Sequence, residues 1–390
     1  MAGIVSRTIL FVVNDAAFFL SHRLVLAEAA RAAGFNVEIA TGAGSATGKI
    51  RELGYTFHEL PLSRSGLDPV AELTSLGAIY KLFRKVRPDL VHLVTIKPVL
   101  YGGVAARLAR VPAVVAAISG LGTIFLAKGG VAALRRMAVQ AVYRFALGHR
   151  NIRIVFQNTS DRQTFQDFGI ETDRTVIITG SGVDLSQFPP VAEPCLPVVV
   201  TMASRLLRDK GVLEFVSAAK IVKARQPDTV FQLAGAIDPG NPTSLTEQDC
   251  EAIRQNGKVL LLGHRADIAV MFAASHIVVL PSYREGLPKV LVEAAAAGRA
   301  VVTTDVPGCR DAIEPDRTGL LVPVRNVKEL AEAIETLVTD HVLRQEFGHA
   351  GRALAERQFD VGQIATQHLA IYHQLVCAAD PSTHNSRLRR

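Results

Sequence analysis

The chain predicts two doubly wound, Rossmann-like α/β domains. Apolar runs of strand length alternate with helix-length segments almost throughout its 390 residues. The runs are apolar on both faces, as strands of parallel sheets are. The alternation restarts after Phe188-Pro-Pro-Val-Ala-Glu-Pro194, a proline-rich linker. Length supports the division, since domains usually hold roughly 100–200 residues. With 49% apolar residues, both halves can bury a core.

In the first series, strands are expected at Thr8–Val13, Asn36–Ala40, Leu90–Val94, Ala113–Ala117, Arg153–Phe156 and Val176–Ile178. Helices are expected over Ser21–Ala33, Pro69–Val86, Val99–Ala109 and Val131–Leu147. In the second, strands are expected near Val198–Met202, Val230–Ala234, Val259–Leu262, Ile277–Leu280 and Ala300–Thr303. The domains then span 1–188 and 195–360. A last helix, 361–377, follows, and a polar tail, 378–390, lacks a core pattern and is expected to be mobile.

Composition narrows the function. The formal charge is +7, and residues 1–190 hold 21 Lys/Arg against 13 Asp/Glu, a net of +8. The remaining 22 Lys/Arg and 23 Asp/Glu give −1. That asymmetry points to an anionic partner for the first half. Tryptophan is absent and no aromatic-basic array stands out, so nucleic acid is not expected. Cys195, Cys250, Cys309 and Cys377 lack metal-like or redox-like spacing, which suits small core residues in a reducing cytoplasm. Neither a signal peptide nor a run of about 20 apolar residues is evident.

Two segments carry the chemistry. The first is Val198-Val-Val-Thr-Met-Ala-Ser-Arg205-Leu-Leu-Arg-Asp-Lys210-Gly211, a strand ending in a polar loop. Arg205 offers a rigid fork to phosphate oxygens and Lys210 a compact charge. The second is Leu280-Pro-Ser-Tyr-Arg-Glu285-Gly286-Leu287-Pro288-Lys-Val-Leu-Val-Glu293, a strand, a turn and a helix start. Its glutamates are eight residues apart, a little over two turns, so both can project to one side of the helix start. The free N–H groups there suit a phosphate. Together the two segments suggest a diphosphate ligand held by its phosphates and its hydroxyls.

With its Glu-x7-Glu pattern at Glu285 and Glu293 and the upstream Arg205/Lys210 pair, the chain resembles the family-4 retaining glycosyltransferases of GT-B fold. It is most similar to bacterial enzymes that extend polyprenyl-diphosphate-linked glycans with N-acetylhexosamine. Ser63–Pro69, Gly120–Thr123, Leu262–Ile268 and Gly308–Ile313 carry that closer likeness. The resemblance implies a UDP-sugar donor and a lipid-diphosphate-linked saccharide acceptor, in cell-surface polysaccharide assembly. Arg205 and Lys210 would hold the leaving diphosphate, Glu285 would meet the transferred sugar, and Glu293 the ribose. Gly286, Leu287 and Pro288 would line the donor site, with His264 and Arg265 against the base. Asn14, Ser119, Gly120 and Gly122 would face the acceptor. Many relatives carry a histidine where Ser119 stands, so no histidine role is transferred. The terminal helix of this fold often returns to the first domain.

No Asp-x-Asp motif or Asp/Glu/His/Cys cluster suggests a metal, so no cofactor is expected. Gly42-Ala-Gly-Ser-Ala-Thr-Gly-Lys49-Ile50 has the wrong spacing for a phosphate loop and reads as a flexible loop. Lys128–Arg153 reads as a basic amphipathic helix. Its Arg135, Arg136 and Arg144 either form a solvated face or meet the anionic inner face of the cytoplasmic membrane. A UDP-N-acetylglucosamine 2-epimerase-like enzyme and a non-catalytic sugar-nucleotide-binding subunit are the alternative readings.

Overall fold

The structure, a computed structural model, describes residues 6–62, 68–120, 130–167 and 169–379. The chain divides into two compact units, Met1–Thr179 with Gln363–Arg390, and Gly180–Gly362.

The first unit holds β1 (Thr8–Val13), β2 (Asn36–Gly42), β3 (Thr56–Leu60), β4 (Leu90–Val94), β5 (Ala113–Ile118), β6 (Ile152–Phe156) and β7 (Thr175–Ile177). They pair in the order β3-β2-β1-β4-β5-β6-β7, all parallel. Successive side chains of a strand point to opposite faces. Ile9, Phe11 and Val13 therefore join one core, and Leu10 and Val12 the other. On the first face lie Phe19, Leu26 and, from the terminal helix Val361–Ala379, Ile364, Ile371, Tyr372 and Leu375. On the second lie the helices Pro69–Val86, Ile96–Ala109 and Gly130–Leu147.

The second unit holds β8 (Val199–Ala203), β9 (Val230–Ala234), β10 (Leu260–Gly263), β11 (Ile277–Leu280), β12 (Ala300–Thr304) and β13 (Gly319–Val322). Their order is β10-β9-β8-β11-β12-β13, again all parallel. Each sheet has one place where the chain reverses its direction of winding: β1 beside β4, and β8 beside β11. Connections leave those paired strands in opposite directions, which opens a crevice at their carboxyl ends.

Several elements differ from the sequence reading. The expected helix Ser21–Ala33 is two helices, Ala16–His22 and Leu24–Ala32, broken at Arg23. The first begins early because the Asp15 carboxylate accepts the Phe18 N–H at 2.9 Å. β3 and β13 were not expected. The stretch Gly42–Ile50 is not wholly loop, since Thr47–Glu52 is helical. The boundary between units falls before the proline-rich linker, because Val183 and Phe188 are buried in the second unit's core. The terminal helix runs on to Ala379, and residues 380–390 of the expected tail lie outside the described residues. Among the described residues, no helix is long and apolar enough to cross a membrane.

Candidate active site

The loop after β8 and the turn after β11 meet at the second unit's reversal point. Gly211 makes the approach possible: its φ is +77°, and a Cβ there would lie 2.1 Å from the Pro281 carbonyl oxygen. The Tyr283 N–H and the Ser282 hydroxyl both donate to the Asp209 carbonyl, at 2.8 and 3.1 Å. The Thr304 hydroxyl donates to the Ser282 carbonyl from β12. Gly308, with φ +81°, supports the turn from behind, where a Cβ would come 2.7 Å from the Glu285 carbonyl oxygen and 2.5 Å from that of Gly286.

This scaffold brings Lys210 Nζ onto Glu285 Oε1 in an ion pair. The two side chains are 22% and 11% exposed. Arg205 is more open and pairs with Asp238, Nη1 to Oδ2 at 2.6 Å. Cys309 is fully buried beneath Glu285; burial, then the Glu285 charge, pushes its thiol up to about 12. It is a neutral core group. Glu293 lies in the helix Lys289–Ala296, where Lys289 Nζ is 3.2 Å from its Oε1. Burial raises the Glu293 carboxyl above its ordinary range, and Lys289 opposes the shift.

Glu285 precedes the helix and Glu293 lies within it, and each carboxylate has its own lysine. Pro288 stands at the helix start, where no side chain caps the N–H groups. Leu287 lies over Gly180. His264 and Arg265 follow β10 at the sheet edge, where Arg265 pairs with Asp267. Among the described residues, no group of three or more His, Cys, Asp or Glu is placed to hold a metal ion.

Tyr283 is a further site residue that the sequence reading missed. Its hydroxyl donates to Glu214 Oε1 at 2.6 Å, and the Arg325 guanidinium sits 4.5 Å over its ring. This contact ties the Glu285 turn to the helix that follows Lys210. No motif marks it, because its partners come from distant segments.

In the first unit, Asn14 follows β1 and Ser119 and Gly120 follow β5. Thr95, also unforeseen, follows β4. Asn14 Oδ1, Thr95 Oγ1 and Ser119 Oγ are each shut off from solvent without a hydrogen-bond partner. Such an atom costs about 1–3 kcal/mol. Gly122 lies outside the described residues, as do the side chains of Arg135 and Arg136. Arg144 is exposed on the helix Gly130–Leu147, alongside exposed Met137, Val142 and Phe145. His92 and His149 are buried, each hydrogen-bonded within the fold.

Residues 188–354 match the family model described as glycosyl transferases group 1, and residues 8–158 the one described as glycosyl transferase 4-like. The chain is 29% identical over 347 residues to the N,N'-diacetylbacillosaminyl-diphospho-undecaprenol alpha-1,3-N-acetylgalactosaminyltransferase of Campylobacter jejuni, covering 85% of this chain and 89% of that one. It is 28% identical to the Escherichia coli UDP-Gal:alpha-D-GlcNAc-diphosphoundecaprenol alpha-1,3-galactosyltransferase, covering 70% and 72%. A solved sucrose-phosphate synthase from Thermosynechococcus elongatus shares the fold, with a TM-score of 0.78 at 22% identity over 95% of this chain and 100% of that one.

Proposed function

Because this chain belongs to the group 1 and 4-like glycosyltransferases, a retaining family, we propose that it moves an N-acetylhexosamine from UDP to an undecaprenyl-diphosphate-linked saccharide. The observation that carries the proposal is the Lys210–Glu285 ion pair at the reversal point of the second sheet, with Arg205 on the same loop after β8, where it pairs with Asp238. The acceptors named for two relatives, both undecaprenyl-diphosphate-linked, support the acceptor class.

The chemistry follows from the charges. As the glycosidic bond breaks, negative charge builds on the diphosphate. Arg205 and Lys210 are poised to stabilise it, since fixed charges in a partly desolvated site act strongly on a developing anion. A diphosphate competes with Glu285 for Lys210. Glu285, so released, accepts hydrogen bonds from hydroxyls of the transferred sugar. Glu293 accepts from the ribose, and the loop His264–Arg265 borders the base. Gly286, Leu287 and Pro288 shape the wall between them. Charge neutralisation of the diphosphate falls to Arg205, Lys210 and the uncapped helix start at Pro288, without a metal. In the first unit, Asn14, Ser119, Gly120 and Gly122 receive the acceptor. The basic helix with Arg135, Arg136 and Arg144 meets anionic lipid at the inner membrane face, where Met137, Val142 and Phe145 add apolar contact.

A panel of radiolabelled sugar nucleotides with a lipid-diphosphate saccharide tests this. Label passing from UDP-N-acetylhexosamine to the lipid supports it. Isomerised nucleotide, or binding without turnover, overturns it.

A further inference from the structure

We propose that Thr95 completes a saccharide-binding site with Asn14 and Ser119 and fixes the hydroxyls of the acceptor sugar. The inference rests on the glycosyltransferase reading and adds to it a residue and a ligand chemistry.

The sheet brings the three together. Val13 pairs with Val94, and Val94 with Ala117, so Asn14 and Thr95 are the next residues on neighbouring strands. Adjacent strands lie about 4.8 Å apart. The Thr95 N–H donates to the Ala117 carbonyl at 3.3 Å, which holds Thr95 against the end of β5 that leads to Ser119. Each residue carries one oxygen closed to solvent and unpartnered. Buried polar atoms are normally hydrogen-bonded within a fold. These three stand at the carboxyl ends of adjoining strands beside the sheet's reversal point, where a doubly wound sheet receives its ligand.

Thr95 is the most telling of them. Its backbone sits at φ 75°, ψ 170°, which strongly favours glycine and disfavours a β-branched residue. It stands at the cap position of the helix Ile96–Ala109 yet gives that helix no side-chain hydrogen bond. Threonine ordinarily serves a helix start by capping it. Here the hydroxyl is withheld from that role, in a conformation where glycine would be easier.

The chemistry of the partner follows from the groups present. The site offers one amide and two hydroxyls, which accept and donate without charge. Lys97, two residues after Thr95, is paired with Glu72, Nζ to Oε1 at 2.5 Å. A diphosphate needs net positive charge, whereas sugar hydroxyls suit neutral groups that both donate and accept. The three side chains therefore suit the saccharide of the acceptor.

Three variants test this with a lipid-linked acceptor: Thr95→Val, which keeps the shape and removes the hydroxyl; Thr95→Ser, which keeps the hydroxyl; and Thr95→Gly, which relieves the backbone. Acceptor kcat/KM, hydrolysis of UDP-sugar without acceptor, and UDP affinity are measured for each. Thr95→Val and Thr95→Gly should lose about tenfold in acceptor kcat/KM, chiefly through KM, as loss of one hydrogen bond implies. Hydrolysis and UDP affinity should stay at parent values, and Thr95→Ser should stay within about twofold on acceptor. Parent-like acceptor kinetics in Thr95→Val and Thr95→Gly overturn the proposal. So does a loss shared by hydrolysis or UDP affinity, which would mark a donor-side or merely structural role. If the parent itself transfers no sugar, the glycosyltransferase proposal fails instead.

Discussion

Replacing Lys210 and Glu285, singly and together, separates their role in the fold from their role in the reaction. Lys210→Met keeps the aliphatic stem and removes the charge. It leaves the Glu285 carboxylate, only 11% exposed, without its cation. Breaking a fully buried pair costs about 3–5 kcal/mol. Residual solvent contact on both side chains lowers that to about 2 kcal/mol here. In a unit of this size, that corresponds to a fall in Tm of roughly 4–8 °C. Glu285→Gln should cost less, about 1 kcal/mol, because the Lys210 ammonium can turn toward water. The double variant should regain most of the stability, since no unpaired charge remains. It should regain no activity. The missing diphosphate contact alone should reduce kcat/KM by about a hundredfold or more, roughly 3 kcal/mol. Urea denaturation and transfer kinetics on the four proteins give both readouts. Additive destabilisation, or recovered turnover in the double variant, would refute the reasoning.

Other outcomes follow from the same geometry. Arg205→Ala should cut kcat/KM about a hundredfold with little change in Tm, because its pair with Asp238 is half exposed; near-normal turnover removes it from the clamp. Glu293→Gln should weaken UDP and donor alike, while Glu285→Gln should leave UDP affinity nearly intact, and calorimetry with UDP distinguishes them. His368 is fully buried, and burial, then the Arg23 charge, depresses its imidazole to about 4. The unfolded chain therefore takes up the proton first. Stability should hold above about pH 6.5 and fall as pH drops toward 4, by about 2 kcal/mol between pH 7 and pH 5 from this group; a flat urea profile across that range contradicts it. Replacing Arg135, Arg136 and Arg144 with glutamate should abolish pelleting with anionic vesicles while sparing transfer to a short, water-soluble acceptor. Salt should have the same effect on the parent, since roughly 0.1 M screens exposed charge beyond about 10 Å. If the triple variant pellets like the parent, the basic helix is only a solvated face.

Much of this fold is legible in the sequence because its central strands are buried on both faces. β1, β4, β9 and β11 match the expected bounds, since apolar residues dominate each of them. β3 escaped because its residues, Thr56-Phe-His-Glu-Leu60, mix polar side chains on an edge strand. β13 is four residues long and also lies at an edge. The helix break at Arg23 reflects tertiary packing, since that guanidinium is buried. In the site, Arg205, Lys210 and Glu285 are readable because strand-loop-helix boundaries place them after β8 and β11. The pairing of Lys210 with Glu285 is not readable, nor are Tyr283 with Glu214, because sheet order decides which loops meet. Thr95 is the hardest case: its backbone opposes the local preference of its own side chain, so no propensity could point to it.

The most direct test of the central claim is the configuration of the product. The purified chain is incubated with 13C-labelled UDP-N-acetylhexosamine and an undecaprenyl-diphosphate saccharide, and the new glycosidic linkage is read by NMR. The expected result is a lipid-linked product with the anomeric configuration of the donor, formed about a hundredfold or more slowly by Lys210→Met than by the parent. An inverted linkage, or sugar released without transfer to the lipid by the intact protein, would contradict it.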